Sequence, residues 1–216
     1  MNSPFAVKDC ALIAIATGER AQNLRELRDG LASAHPGCIY HHFWGILLRP
    51  SSHNLEHRND FAAWVHHGLH DRAMAERLAV VDPLDFDDLE GLRREVIEVI
   101  EQRLDETDWK SWAKAKQQFH FIRSQIVVFD TGITISEPGQ LKDLISHLAV
   151  GSIFFHFLDA RLRTQSRNDD FTEWLMGFGG KYIHWTEKLA TVDPYLKSLT
   201  ELRLQVAKVM QENLEN

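Results

Sequence analysis

Two histidines stand in matching apolar surroundings. His42 and His156 each follow an isoleucine by three residues (Ile39, Ile153) and directly precede a phenylalanine (Phe43, Phe157). An imidazole at the edge of an apolar helix face needs a partner, because an unpaired buried polar group costs about 1–3 kcal/mol. The carboxylates Asp60 and Asp170 also recur at matching positions and are the natural candidates, together with a backbone carbonyl. Such a pair reads in two ways. As scaffold it holds two helices in register. As chemistry, His42 with Asp60 is an acid–base or ligand pair, with His156 and Asp170 as its counterpart.

A second histidine group runs His66-His67-Gly68-Leu69-His70. His66 and His70 have the four-residue spacing that lets two imidazoles grip one metal ion from a single helix face. The metalloprotease pattern would need glutamate at position 67, where this chain has histidine. The matching stretch of the second half carries Met176 and Gly177, so the plain reading is a solvated helix face. His41, His53 and His57 are the residues that would have to complete a metal site through space. No cofactor is required by the sequence; a metal ion at His66 and His70 is the one candidate.

Thr17-Gly18-Glu19-Arg20 lies between an expected strand and an expected helix, and Thr131-Gly132 repeats its core. A glycine there can turn backbone amides toward an anion, with Arg20, Arg49 and Arg58 supplying positive charge. The plain reading is a tight turn, since no P-loop lysine follows. Arg58 and Arg167 each stand close before a matched aspartate, as an Arg–Asp pair holding a loop would. There is no GxSxG, no Ser–His–Asp order and no Cys–His nucleophile arrangement.

The elements that must position these residues are written twice. Ile39-Tyr40-His41-His42-Phe43 returns as Ile153-Phe154-Phe155-His156-Phe157, 114 residues later. Asp60-Phe61-Ala62-Ala63-Trp64 returns as Asp170-Phe171-Thr172-Glu173-Trp174, and Leu78 to Pro83 returns as Leu189 to Pro194. A fixed period is read before anything else because it decides the architecture. It is also an internal control: residues kept in both halves answer to a shared fold or site, and residues found in one half do not.

Each half opens with a short β-branched run ending at Thr-Gly: Ala11 to Ala16 and Gln125 to Asp130. Leucines at 24, 27 and 31, and at 141, 144 and 148, predict the next helix. The His-Phe segment predicts a helix rather than a strand, with Ser152 as the cap in the second half. Asp60, Asp170 and Asp71 are placed as caps of later helices, which end at Asp-Pro. Leu89 to Leu104 and Leu199 to Leu214 form long stripes, the second opened by a Ser198–Glu201 capping box. The expected fold is mostly α with a minor β element (α+β), a tandem pseudo-twofold duplication of a strand plus four to five helices. The expected division is 1–106, a packed connector over 107–118 carrying Trp109 and Trp112, and 119–216. The two strands are expected to pair, since a lone buried strand leaves its backbone groups unpaired.

A length of 216 residues fits one large or two small domains, and 44% hydrophobic with 25% charged residues is ordinary for a globular chain. The net charge of −7 leaves no basic face for phosphates, which argues against nucleic acid. No apolar stretch is long enough to span a membrane, and the start lacks a secretory pattern. Cys10 and Cys38 occur in one half without CxxC spacing, as expected for reduced thiols in a cytoplasmic protein.

The set Thr17-Gly18, Leu24-x-Glu26-Leu27, Ile39 to Gly45, Leu48-Arg49-Pro50, Asn59 to Trp64 and Leu69-His70-Asp71 resembles an uncharacterised prokaryotic family, domain of unknown function 5752. The likeness covers nearly the whole chain and is strongest from Ile39 to Asp82. The second half departs from it: Leu158-Asp159 stands for Trp44-Gly45, and Gly179-Gly180 for the Leu-His-Asp stretch. The resemblance implies a helical module and brings no catalytic residues with it. The leading expectation is a non-catalytic binding or regulatory module, with a protein partner or as a homo-oligomer. A metal or His/Asp enzyme with its site in the first half, and a small-anion or phosphometabolite binder, are the alternatives.

Overall fold

A computed structural model describes residues 3–48, 57–106, 113–194 and 198–212. Along the chain run β1 (Phe5–Ala21), α1 (Leu24–Ser33), α2 (Pro36–Tyr40), a π turn (His41–Gly45) and α3 (Ile46–Leu48). Then come α4 (Asp60–Trp64), a second π turn (Val65–Leu69), α5 (Arg72–Ala79) and α6 (Leu89–Glu106). Next are β2 (Phe119–Ile135), α7 (Pro138–Leu144), α8 (Val150–Ile153), a π turn (Phe154–Asp159) and α9 (Ala160–Arg163). α10 (Asp170–Met176), α11 (Ile183–Ala190) and α12 (Leu199–Gln211) complete it. The fold class is α+β, mainly helical with one two-stranded sheet among the described residues.

Contacts divide the chain into two compact units, Leu12–Gln125 and Met1–Ala11 with Ile126–Asn216. Each unit therefore holds part of both strands. The strands pair, and Thr17 Oγ1 donates to Phe121 O (2.7 Å) while Thr131 Oγ1 donates to Val7 O (2.6 Å). As the β1 index falls by ten the β2 index rises by ten, which is antiparallel pairing. A bare two-stranded ribbon is marginal in water. Here its ends are anchored: Phe5, Val7 and Ala21 on β1 and Phe119, Phe121 and Ile135 on β2 are all buried.

The strands are longer than the sequence predicts. Thr-Gly does not end them; it lies inside them. Gly18 (φ 85°) and Gly132 (φ 73°) take the left-handed backbone of a glycine bulge. The threonine hydroxyl stitches each bulge, accepting from Glu19 N (3.1 Å) or Ile133 N (3.2 Å).

In the Leu12–Gln125 unit, α1 packs on α6. Leu24, Leu27 and Leu31 meet a stripe of Leu92, Val96, Ile100 and Leu104, all buried. Arg93 reaches across to donate to Leu31 O (3.1 Å), satisfying a carbonyl at the helix end. Asp71 caps α5 through Met74 N (3.3 Å) and takes both a 3.0 Å Nε and a 3.0 Å Nη2 contact from Arg103. In the other unit α12 opens with the expected Ser198–Glu201 capping box. Its Arg203 donates to Leu148 O (2.8 Å).

The His-Phe segments are helical, as expected, but each widens into a π turn. Three local expectations change. The cap of α8 is Ala149, leaving Ser152 buried inside the helix. The caps of α4 and α10 are Asn59 and Asp169, each accepting from the amide three residues on, of Ala62 and Thr172. Asp60 and Asp170 sit one residue later, at the first helical position, where their carboxylates meet His42 and His156. Trp109 and Trp112 lie outside the described residues.

Two glycines let helix meet strand. A Cβ on Gly37 would stand 2.9 Å from Ser124 O, and one on Gly151 would come closer still to Cys10 O and Asp9. In α7, a Cβ on Gly139 would meet nothing within 4 Å. Helix propensity favours alanine over glycine by about 1 kcal/mol, while forcing a backbone apart costs about 1–3 kcal/mol. Urea denaturation should therefore show Gly139→Ala neutral or stabilising and Gly151→Ala destabilised by about 1–3 kcal/mol. Equal effects at the two positions would contradict this packing.

Candidate functional site

His42 sits in the π turn after α2, where its ring is 2% exposed as a residue and lies against Phe61 and Phe119. Its Nδ1 is 2.9 Å from Asp60 Oδ2, and Ile122 N donates to its Nε2 at 3.2 Å. In the other unit His156 lies against Phe5 and Phe171. Its Nδ1 is 2.7 Å from Asp170 Oδ2, and Lys8 N donates to its Nε2 at 2.8 Å. A backbone amide can only donate. Nε2 must therefore carry the lone pair, and the neutral ring's proton sits on Nδ1, aimed at the carboxylate. Each imidazole is a bridge from a strand amide to the first turn of a helix.

That assignment bears on metal chemistry. Among the described residues, His41, His42 and Asp60 form the one group of three donors close together, within 4.8 Å of one another. Two donors on one ion at 2.0–2.2 Å stand at most about 4.4 Å apart, so the widest pair must close. The greater obstacle is His42. To bind through Nδ1 the ring would have to lose both protons, or else place Nε2–H against the Ile122 N–H. We therefore read the trio as a hydrogen-bonded scaffold rather than a ligand set.

The flanking residues differ between the units. His41 is buried with Nδ1 2.6 Å from Ser124 Oγ. Gly45 leaves its ring room: a Cβ there would meet Nδ1 at 3.1 Å. In the second half Phe155 and Asp159 occupy these places in the sequence. There Arg163 lies 4.0 Å over the Phe155 ring and donates to Asp159 (2.6 Å) and Asp170 (3.0 Å). Cys10 donates to Gly151 O (3.3 Å), and burial with the nearby Asp159 and Asp9 pushes its thiol up to about 12. That shift favours the protonated thiol, the weaker nucleophile. Burial also pushes Cys38 upward.

The remaining candidates are dispersed. Thr17 and Gly18 belong to the β1 bulge, with the Thr17 hydroxyl committed to Phe121 O. Arg20 is exposed and reaches Gln118 at 3.4 Å. Arg58 lies in the bend before α4, half-buried; Arg49 and His53 lie outside the described residues. His66 and His70 share no helix face: His66 is in a π turn, and His70 (φ 57°) ends it in a left-handed conformation. The His66 ring instead neighbours those of His57 (4.8 Å) and His67 (4.7 Å).

Sequence reasoning missed the strand amides of Lys8 and Ile122, although they are separated by the same 114 residues as the histidines. It also missed Arg163 and Asp159: Arg163 matches Arg49, but Gly45 stands where Asp159 does, so no Arg–Asp pair recurs in the first half to draw attention to them.

A family model covers residues 2–211. The chain belongs to the family of unknown function DUF5752. A solved structure described as OrfY from Thermoproteus tenax is similar to this DUF5752 chain. The two are 27% identical with a TM-score of 0.83, over 96% of this chain and 94% of that one. No curated protein sequence matches it.

The two matched caps generate a pH prediction. Asn59 is buried, caps α4 and donates through Nδ2 to Leu78 O (2.9 Å). Asp169 is as deeply buried, and that burial pushes its carboxyl above the usual range despite bonds from Thr172 N (2.9 Å) and Oγ1 (2.8 Å). A carboxyl raised on folding contributes stability below its unfolded pKa of about 4 and loses it as pH climbs through the folded value. Asp169→Asn should therefore gain on the parent protein as pH rises from about 4 toward 7. Urea melts at both ends of that range check it. A difference that does not change with pH contradicts the assignment.

Proposed function

We propose that this chain is a non-catalytic binding or regulatory module, built by tandem duplication and working with a protein partner or a second copy of itself. The observation that carries this reading is that both repeated histidines spend both ring nitrogens on the scaffold. An imidazole held this way has no lone pair left for a substrate proton or an ion.

The doubling is supported by contacts that recur at the same offset. His42 with Ile122 matches His156 with Lys8, and Thr17 with Phe121 matches Thr131 with Val7. The close approach of Gly37 to Ser124 matches that of Gly151 to Cys10. Trp64 donates to Gln117 O and its counterpart Trp174 to Ser3 O, with the donors 110 and the acceptors 114 residues apart. With repeats at 1–106 and 119–216 joined by 107–118, each histidine takes its amide from the other repeat's strand. The repeats thus exchange strand ends, like a domain swap fused into one chain.

The enzyme and anion readings have less support. His66 and His70 are not aligned for a metal, and the Thr17 hydroxyl is committed to the strand. Both cysteines are free and buried, which supports a reducing compartment such as the cytoplasm. Among the described residues no helix is long and apolar enough to cross a membrane.

His42→Phe and His156→Phe should each lower stability by about 1–3 kcal/mol, since each leaves a strand amide without its acceptor and takes the imidazole donor from a carboxylate. Chemical denaturation measures this. Either variant folding as stably as the parent while losing a stoichiometric metal or a turnover would overturn the scaffold reading.

A further inference from the structure

A groove on the second unit runs between α10 and α11, enclosing about 440 Å³. Its floor is apolar, with Leu175, Met176, Ile183 and Ala190, and its rim carries Glu187. Met176 and Ile183 are 57% and 59% exposed, so they are surface, not core. Beside it, a polar depression lined by Thr164, Gln165, Ser166 and Glu173 continues the strip. Asn168 joins the two, lining the groove and donating to Glu173 (2.8 Å). No lysine or arginine lines either depression.

The doubled sequence supplies a control. At the positions matching Asn168, Met176 and Ile183, the first half has Arg58, His66 and Arg72, and Glu173 is matched by Ala63. The shared fold therefore does not require exposed apolar side chains here, nor a carboxylate at 173. Along this strip the second half carries Met176 and Ile183 where the first has His66 and Arg72, and Glu173 where the first has Ala63, while Glu187 is matched by Glu76. Water-exposed methionine and isoleucine in a groove mark an adaptable contact surface.

We propose that this groove receives an amphipathic helix of a protein partner, its apolar face on Met176 and Ile183 and its lysines or arginines at Glu173 and Glu187. The proposal rests on the binding-module reading and names its partner's chemistry. Glu187 in the groove and Glu173 in the adjoining depression, with no lysine or arginine among the lining residues of either, favour a basic occupant. Both walls are helices whose backbone bonds are internal, so an added strand has no edge to pair with, whereas a helix face fits between them.

Fluorescence polarisation with a fluorescein-labelled model helix of leucine and lysine heptads tests this, against the same peptide with glutamate for lysine. The parent protein should bind the leucine–lysine peptide saturably and the leucine–glutamate peptide at least about tenfold more weakly. Met176→Gln with Ile183→Gln removes the apolar contact at unchanged charge and should lower affinity at least about tenfold, with melting temperature unchanged. Glu173→Gln with Glu187→Gln should weaken binding and flatten its salt dependence. No saturable binding, equal binding of both peptides, or affinity indifferent to the Met176 and Ile183 changes overturns the proposal. The histidine variants are read by stability, so the groove can fail while the module reading stands.

Discussion

A strand amide, an imidazole and a carboxylate in line form the constraint on which each unit depends. A two-stranded ribbon has little stability of its own, and helices of five to eight residues have little of theirs. The ring of His42 or His156 ties one to the other. It takes the strand N–H on one nitrogen and gives its proton to the first turn of α4 or α10 on the other. The negative carboxylate is well placed there, near the positive end of its helix. The π turn that carries each histidine fits the same demand. One extra residue in the turn shifts the ring relative to its helix, and in both units the ring reaches strand and carboxylate together.

Much of this was legible from residue types. The repeated His-Phe and Asp-Phe-x-x-Trp blocks marked both bridging partners, because a polar ring beside an apolar stripe must be paired. The long stripes of α6 and α12 and the Ser198–Glu201 box were readable from periodicity and capping chemistry. The strand partner of each histidine was not. A backbone amide has no residue type, so nothing in Lys8 or Ile122 announces its role; only their spacing does. The caps were misplaced by one residue because Asn59-Asp60 and Asp169-Asp170 offer two capping side chains in succession. Local chemistry cannot choose between them, whereas the histidine's need for a carboxylate does. Thr-Gly reads locally as a strand end because glycine punctuates chains; pairing across the ribbon overrides that local signal.

Around the two bridges the flanking residues differ in a way that packing explains. A ring at His41 is accommodated by Gly45 and held by Ser124. Phe155 goes instead with Asp159 and with Arg163 stacked on its face. Each arrangement is coherent, and mixing them would crowd His41 or strand Asp159 without its guanidinium. These differences lie in the scaffold, whereas Met176 and Ile183 on α10 and α11 lie on the surface.

The most direct measurement is the tautomeric state of the two rings, read by long-range proton–nitrogen NMR correlation with ¹⁵N-labelled histidine. The account predicts that His42 and His156 both give neutral rings protonated on Nδ1, with Nε2 bare. A ring protonated on Nε2, or one exchanging freely between tautomers, would contradict it.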